Sequence, residues 1–447
     1  MTSEMVSLRR LAGLLTVGAL VVSACSSGST ATPSAPAASG STPASAGSSS
    51  APAATSDLEI FTYGTAGGEA QGLAAIEDIL AKNYPGIKVT NAVVAGGAGS
   101  NATAVLATRM TGGNPPDTFQ IHGGAELIDT WVTTGYMQPL TQFYTDNGWL
   151  DKFPKQLLDL VSYNNDIYSV PVNVHRNGVL WFNKKIFTDN NISAPTTWDE
   201  FFTAADALKA KGITPLALGD KDKWESLQLF EDILLSKLGP ADYRGIWAGT
   251  VPWTAARVTD ALTTMAKVMS YVNADHATLT WDQAAGLVLK GAAAMNIMGD
   301  WEKGYYTSNG WTPGSDFGWA PAPGTTGSFI VVTDTFGMPK NIKNQASALD
   351  WLKTVGSVEG QDAFNPKKGS IPARVDADKS IYDAYSQSAI TDFATNELVP
   401  SEANGPATIP AFLTPITDAI SVFTTDLNVQ SAQSTIAAAC TSTGACK

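Results

Sequence analysis

An α/β protein built around a parallel sheet is predicted by three features of the 447-residue chain. Strand-like alternation and helix-like spacing take turns between residues 58 and 121, the pattern of strands joined by helices that pack on the sheet's faces. A small-and-apolar run at 292–298 reads as a fully buried strand and stops at Gly299, followed by Asp300 and Trp301. The length exceeds what one small core requires, so two or three lobes are expected.

The N-terminal 24 residues read as an export signal. Arg9 and Arg10 form a charged start, 11–22 an apolar core, and small residues follow. The segment ends Val22-Ser23-Ala24-Cys25, which resembles a bacterial lipobox, so Cys25 is expected to become the lipidated first residue of the mature chain. Residues 25–56 then form an expected disordered tether, nearly all Ser, Ala, Gly, Thr and Pro, which cannot bury enough surface to fold.

The folded body begins at Asp57. Residues 58–63 (LEIFTY) read as a strand, 71–83 as a helix with Leu73, Ile76, Ile79 and Leu80 apolar, and 87–94 as the next strand. Asn101 is placed to cap a helix running through Met110, and 118–121 reads as a third strand. Ligands of such sheets bind beyond the carboxyl ends of the strands, where Tyr63, Gln120 and His122 lie. Further on, 329–333 is strand-like and 346–354 helix-like.

Composition excludes several functions. The chain is 44% hydrophobic and 15% charged with 12 Trp, which is globular. Its formal charge of −13 favours neither nucleic acid nor an anionic membrane. Beyond residue 24 no apolar run is long enough to span a bilayer. His122, His175 and His276 are far apart and no CxxC occurs, so neither a metal site nor a cofactor is expected. Cys440 and Cys446, close together in an exported chain, are expected to form a local disulfide contributing at most about 2 kcal/mol.

Asp300 and Trp301 suit a carbohydrate. An ionised carboxylate accepts hydrogen bonds from two hydroxyls, and an indole offers a flat apolar platform for a sugar's C–H face. The alternative is a helix-capping Asp beside a core Trp. Gln120 and His122 alternate on one strand, so both point to one side, and each can donate and accept. Trp224, Trp247 and Trp253 lie around loops, with Trp224 the choice for a stacking platform.

The run from Leu58 to Pro116-Asp117, Tyr168-Ser169-Val170-Pro171, Trp181-Phe182-Asn183-Lys184-Lys185, Pro195-Thr196-Thr197-Trp198-Asp199-Glu200-Phe201 and Gly369-Ser370-Ile371-Pro372-Ala373-Arg374 resembles the family 1 extracellular solute-binding proteins, the substrate-binding subunits of ABC sugar importers. Phe119-Gln120-Ile121-His122-Gly123, 170–176, Met298-Gly299-Asp300-Trp301 and 364–369 are similar to its glucose/galactose-binding type. The resemblance implies a two-lobed periplasmic-binding-protein-like fold with several crossovers and a ligand cleft between the lobes. Lobe one would comprise 57–170 and 329–370, lobe two 171–328 and 371–447. It implies ligand contacts from Tyr63, Gln120, His122, His175, Trp224, Asp300, Trp301, Lys368 and Asn404, with Asp300 dominant. The glucose type carries paired Trp where this chain has Tyr63-Gly64 and a His near Asn404.

The function so implied is a monomeric, non-catalytic receptor. It would be anchored outside the cytoplasm through Cys25, capture a monosaccharide such as glucose or galactose by lobe closure, and hand it to a membrane permease. A disaccharide or oligosaccharide is the first alternative. Ferric iron is another, prompted by Tyr305-Tyr306. A third is an anchored glycoside hydrolase, which needs two carboxylates about 5–5.5 Å or 6.5–9.5 Å apart across a sugar. Asp300 and Glu302, two apart on one segment, do not supply such a pair.

Overall fold

A computed structural model describes residues 57–64, 67–95, 100–405 and 407–446. The signal segment, Cys25 and the tether lie outside the described residues. Among the described residues no helix is long and apolar enough to cross a membrane.

The first lobe is organised around a five-stranded sheet in the order Lys88–Asn91, Asp57–Phe61, Thr118–His122, Asp334–Gly337, Ser169–Pro171. The first three strands are parallel, as the alternation of elements predicts. The strand proper covers Lys88–Asn91 of the expected 87–94, and beyond it Ala92 and Val94 N–H still donate to the Ile60 and Thr62 carbonyls at 2.8 and 2.9 Å. Asp334–Gly337, more than two hundred residues further along the chain, inserts antiparallel to both neighbours and makes the sheet mixed. Its register sets Asp334 opposite His122. Directly paired residues share a face of the sheet, so the two side chains are neighbours.

The second lobe holds a four-stranded sheet in the order Phe317–Pro321, Val179–Asn183, Ala293–Met298, Thr214–Ala217. Successive residues of a strand point to opposite faces. Accordingly Trp181 joins one hydrophobic cluster with Tyr306 and Phe317, while Leu180 joins the other with Phe230 and Met295. Local signals hold where they are strong. Thr197 and Glu200 form a reciprocal capping box that starts helix Trp198–Lys209 and buries Trp198 and Phe201.

Three stretches connect the lobes side by side. Val174 and Ile371 exchange backbone hydrogen bonds of 2.8 and 3.0 Å, and Val172 N–H donates to the Asp334 carbonyl at 2.9 Å. His175–Arg176 and Ser328–Val332 pair in a small third sheet with Glu397–Pro400. At the C-terminus Cys440 and Cys446 are joined by a disulfide, which closes the end of helix Val429–Thr443.

Candidate functional site

A cavity of about 380 Å³ lies between the lobes. Its first wall gathers around Asp334, only 2% exposed. Oδ1 accepts from the Tyr63 hydroxyl at 2.8 Å and from Gln120 Nε2 at 3.0 Å. Oδ2 accepts from Asn173 Nδ2 at 2.7 Å, with His175 Nε2 at 3.3 Å. His122 Nε2 stands 3.8 Å from Oδ1, and its Nδ1 is 2.7 Å from a Glu126 carboxylate oxygen. Burial pushes the Asp334 carboxyl up, but the Lys368 ammonium, the His175 hydrogen bond and the charges of both histidines outweigh it and hold the group well below the usual carboxylate range. Burial lowers both histidines; Glu126 and Asp334 around His122, and Asp300 and Asp334 around His175, turn both shifts upward.

Lys368 closes this wall. It is the last residue of helix Val358–Lys368 and donates to Glu69. Burial depresses its ammonium, and the charges of Glu69, Asp334 and Asp300 more than restore it. The chain turns at once through Gly369 at φ +102°, where a side chain would meet the Asp300 carbonyl at 2.3 Å. That approach brings the Lys368 loop against the end of strand Ala293–Met298.

The second wall is made by three helix starts. Helices Trp224–Trp247, Trp281–Leu289 and Trp301–Ser308 each begin with a Trp, and all three indoles line the cavity. The Trp224 and Trp301 rings lie 6.0 Å apart, and Trp301 stands edge-on to His175 at 5.2 Å. Gly299 is required here, because a Cβ would lie 2.2 Å from the Trp301 ring. Asp222 and Asp282 line the same wall; Asp282 accepts from Thr280 at 2.5 Å, and Asp222 has no hydrogen-bond partner among the described residues. Behind them Glu225 is buried, and burial, reinforced by the charges of Asp222 and Asp220, pushes its carboxyl well up against the lowering pull of the backbone N–H groups of Glu225 and Trp281.

The structure brings together Tyr63, His122, His175, Trp224, Trp301, Lys368 and Asn404 around one cavity. Gln120 and Asp300 stand one layer back. Asp300 is 0% exposed. Although it precedes helix Trp301–Ser308, its side chain does not cap that helix. Instead it binds His175 Nδ1, accepts the Arg176 backbone N–H at 3.1 Å and accepts the Tyr385 hydroxyl at 3.2 Å. In this geometry both Asp300 oxygens serve protein donors and the residue is not among those that line the cavity. Asn404 Nδ2 donates to Asn177 Oδ1 at 3.0 Å, which fixes its amide. Trp247 and Trp253 pack ring to ring at 5.2 Å inside the second core. Tyr306 donates to Glu302 in the interior, so Tyr305 and Tyr306 do not converge on the cleft.

Sequence reasoning missed Asp334, Glu69, Trp281, Asp222 and Asp282. Asp334 carried the signal used for Asp300, a carboxylate just after the strand-like run 329–333. Trp281 follows a capping box, Thr280 with Gln283, of the same form as Thr197 with Glu200, whose Trp198 goes into the core. Local pattern does not separate the two indoles.

Residues 66–362 match the profile of the bacterial extracellular solute-binding proteins. An uncharacterized ABC transporter extracellular-binding protein of Pyrococcus horikoshii is 38% identical over 434 residues, covering 96% of each chain. A probable sugar-binding periplasmic protein of Rhizobium meliloti is 33% identical over 393 residues, covering 86% of this chain and 93% of its own. In fold the chain is similar to a bacterial solute receptor described as having exclusive preference for β-D-galactopyranose, with TM-score 0.77 at 18% identity, covering 88% of this chain and 99% of that one.

Proposed function

Because this chain belongs to the bacterial extracellular solute-binding proteins, and to their sugar-binding ABC-transporter type, we propose that it captures a monosaccharide such as glucose or galactose in the inter-lobe cavity and delivers it to a membrane permease. The observation that carries this reading is the asymmetry of the two walls. One wall presents a fixed network of charged and polar groups around Asp334, and the other presents three indoles. A pyranose has the matching asymmetry, with hydroxyls around its rim and C–H groups on its faces.

Ligand pockets commonly span about 300 to 1,000 Å³, so a cavity of about 380 Å³ sits at the small end and suits one ring. Lys368 and His122 offer N–H donors, and Glu69 offers an acceptor, while Asp334 holds the donors of this wall in place. Only a closed cleft supplies both walls at once, so a sugar that bridges them favours closure. The closed form is what the permease would engage. Cys25 would carry a lipid that keeps the receptor at the membrane. The protein acts by binding: Asp300 and Glu302, the carboxylates considered for hydrolysis, are both turned into the interior.

Tryptophan-fluorescence titration with glucose, galactose, xylose, maltose and cellobiose tests this. Saturable quenching or enhancement by a monosaccharide is expected. Binding confined to oligosaccharides would overturn the monosaccharide assignment.

A further inference from the structure

Behind the loop 401–405 the second lobe holds three buried carboxyl groups. Glu231 and Asp232 come from helix Trp224–Trp247 and Glu402 from the loop itself, and none is more than 1% exposed. We infer that this cluster is a proton-controlled latch on the cleft: it holds the loop against the first lobe while at most one of the three is ionised, and a second ionisation frees the loop and weakens sugar binding. The inference adds a regulation to the sugar-receptor reading above and rests on it.

Three observations carry it. First, the loop that covers the cluster is also the loop that meets the cleft. Asn404 lines the main cavity, and its amide is held by Asn177 at 3.0 Å. The Gly405 carbonyl accepts the backbone N–H of Glu126, from the first lobe, at 3.0 Å, and Glu126 in turn holds His122 of the ligand wall. Second, hydrogen-bond donors are shared unequally. Glu231 accepts from the Glu402 and Ala403 backbone N–H groups, the latter at 2.8 Å, from the Ser401 hydroxyl at 2.9 Å and from Asn177 Nδ2 at 3.0 Å. A carboxylate so supplied can hold a buried charge. Asp232 has no hydrogen-bond partner among the described residues, and it packs so closely on Gly178 that a Cβ there would lie 1.8 Å from its Oδ1. Third, further charge has no counterion to meet it. The cation that acts on Asp232 is Arg176, from the crossover strand, and its guanidinium already donates to Asp392 and to the Ser328 carbonyl at 3.2 Å. Tyr243, which also faces the three, is a phenol that the same burial and carboxylates keep neutral. Burial accordingly raises Glu231 to about 7. It pushes Asp232 and Glu402 well up, each reinforced by Glu231, against the pull of Arg176 on the one and the Thr408 backbone N–H on the other. Protons are held below those values and leave as pH rises through them. A second charge then repels the first where little water screens it. The loop, tied to Glu231 by two backbone N–H groups, yields, and Asn404 and the Gly405 contact go with it.

The test compares full-length wild type with the double variant Asp232→Asn/Glu402→Gln, and with Glu402→Gln alone as the milder change, between about pH 6 and pH 9. These variants leave His122, His175 and their partners in place, so a difference between the curves belongs to the cluster. One linked proton shifts an equilibrium by about tenfold per pH unit. Amide hydrogen exchange of 401–405 in ligand-free protein, corrected for the intrinsic pH dependence of exchange, is therefore expected to lose about tenfold or more of its protection in wild type and less than about threefold in the variants. Calorimetric titration with glucose and galactose should show the same split, with wild-type affinity falling about tenfold further than that of the double variant. Level protection in wild type, or parallel wild-type and variant curves in either measurement, would overturn the latch alone. Binding of neither sugar at either pH, with loop protection still lost in wild type only, would overturn the monosaccharide reading and leave the cluster's control of the loop standing.

Discussion

Asp334→Asn should be the most damaging single change at the site. The carboxylate takes hydrogen bonds from Tyr63, Gln120 and Asn173 at 2.7–3.0 Å, with His175 at 3.3 Å. An amide of the same shape keeps one acceptor oxygen, so about half of those donors lose their partner and one side meets N–H against N–H. Each bond to an ionised acceptor contributes about 1.5–3 kcal/mol, and breaking a buried charged pair costs about 3–5 kcal/mol. Part of that loss appears in folding and part in binding, because two of those groups, Tyr63 and His175, line the cavity. If one such bond's worth falls on binding, affinity drops by about tenfold to more than a hundredfold. The charge itself has a separate signature. Asp334 helps raise both His122 and His175, so the variant should lower both histidine pKa values, while a change in packing alone would leave them in place. Sugar titration by fluorescence and histidine titration by NMR read the two effects. Affinity within threefold of wild type, with both histidines unmoved, would refute the hub.

The remaining predictions are smaller. Asp300→Asn should weaken sugar binding less than Asp334→Asn, since Asp300 acts through His175; its mark should be a lowered His175 pKa with His122 little changed, and a larger affinity loss than Asp334→Asn gives would contradict this placement. Stability should fall as pH rises from about 5 to 8. His122 and His175 are raised above 6.5, so their stabilisation is complete below that value and is lost as pH climbs through their folded pKa values. Burial raises Glu231 to about 7 and Glu302 to about 8, so the folded state holds protons that the unfolded chain releases near 4.5, and the sign is the same. Each such group contributes a slope of about 1.4 kcal/mol per pH unit within its window, and urea midpoints that rise steadily from pH 5 to 8 would contradict the sum. Cys25→Ala should leave the protein unprocessed or released from the membrane; unchanged fractionation and migration would rule out the lipid anchor.

The elements that were legible in the sequence are those decided locally. Alternation in 58–63 and 118–121 marked two parallel neighbours of the first sheet, and the Thr197–Glu200 box marked a helix start. Asp334–Gly337 was not legible as a sheet member, because its pairing with Thr118–His122 joins segments more than two hundred residues apart and depends on register rather than pattern. The site divides along the same line. His122 and Lys368 reach the cavity from motifs that a resemblance could supply. Asp300 occupies the expected strand exit, yet its direction is settled by His175 and Tyr385, which come from distant segments. Trp224 and Trp253 looked alike in sequence; one begins a helix at the cavity and the other stacks inside the core, and only tertiary packing distinguishes them.

Small-angle X-ray scattering of the full chain, apo and saturated with a sugar whose binding calorimetry has established, tests lobe closure most directly. Closure around a ligand held by both walls predicts a smaller radius of gyration in the saturated protein. Superimposable profiles at full saturation would contradict it, because a sugar that binds without drawing the lobes together cannot be held by the Asp334 wall and the three indoles at once.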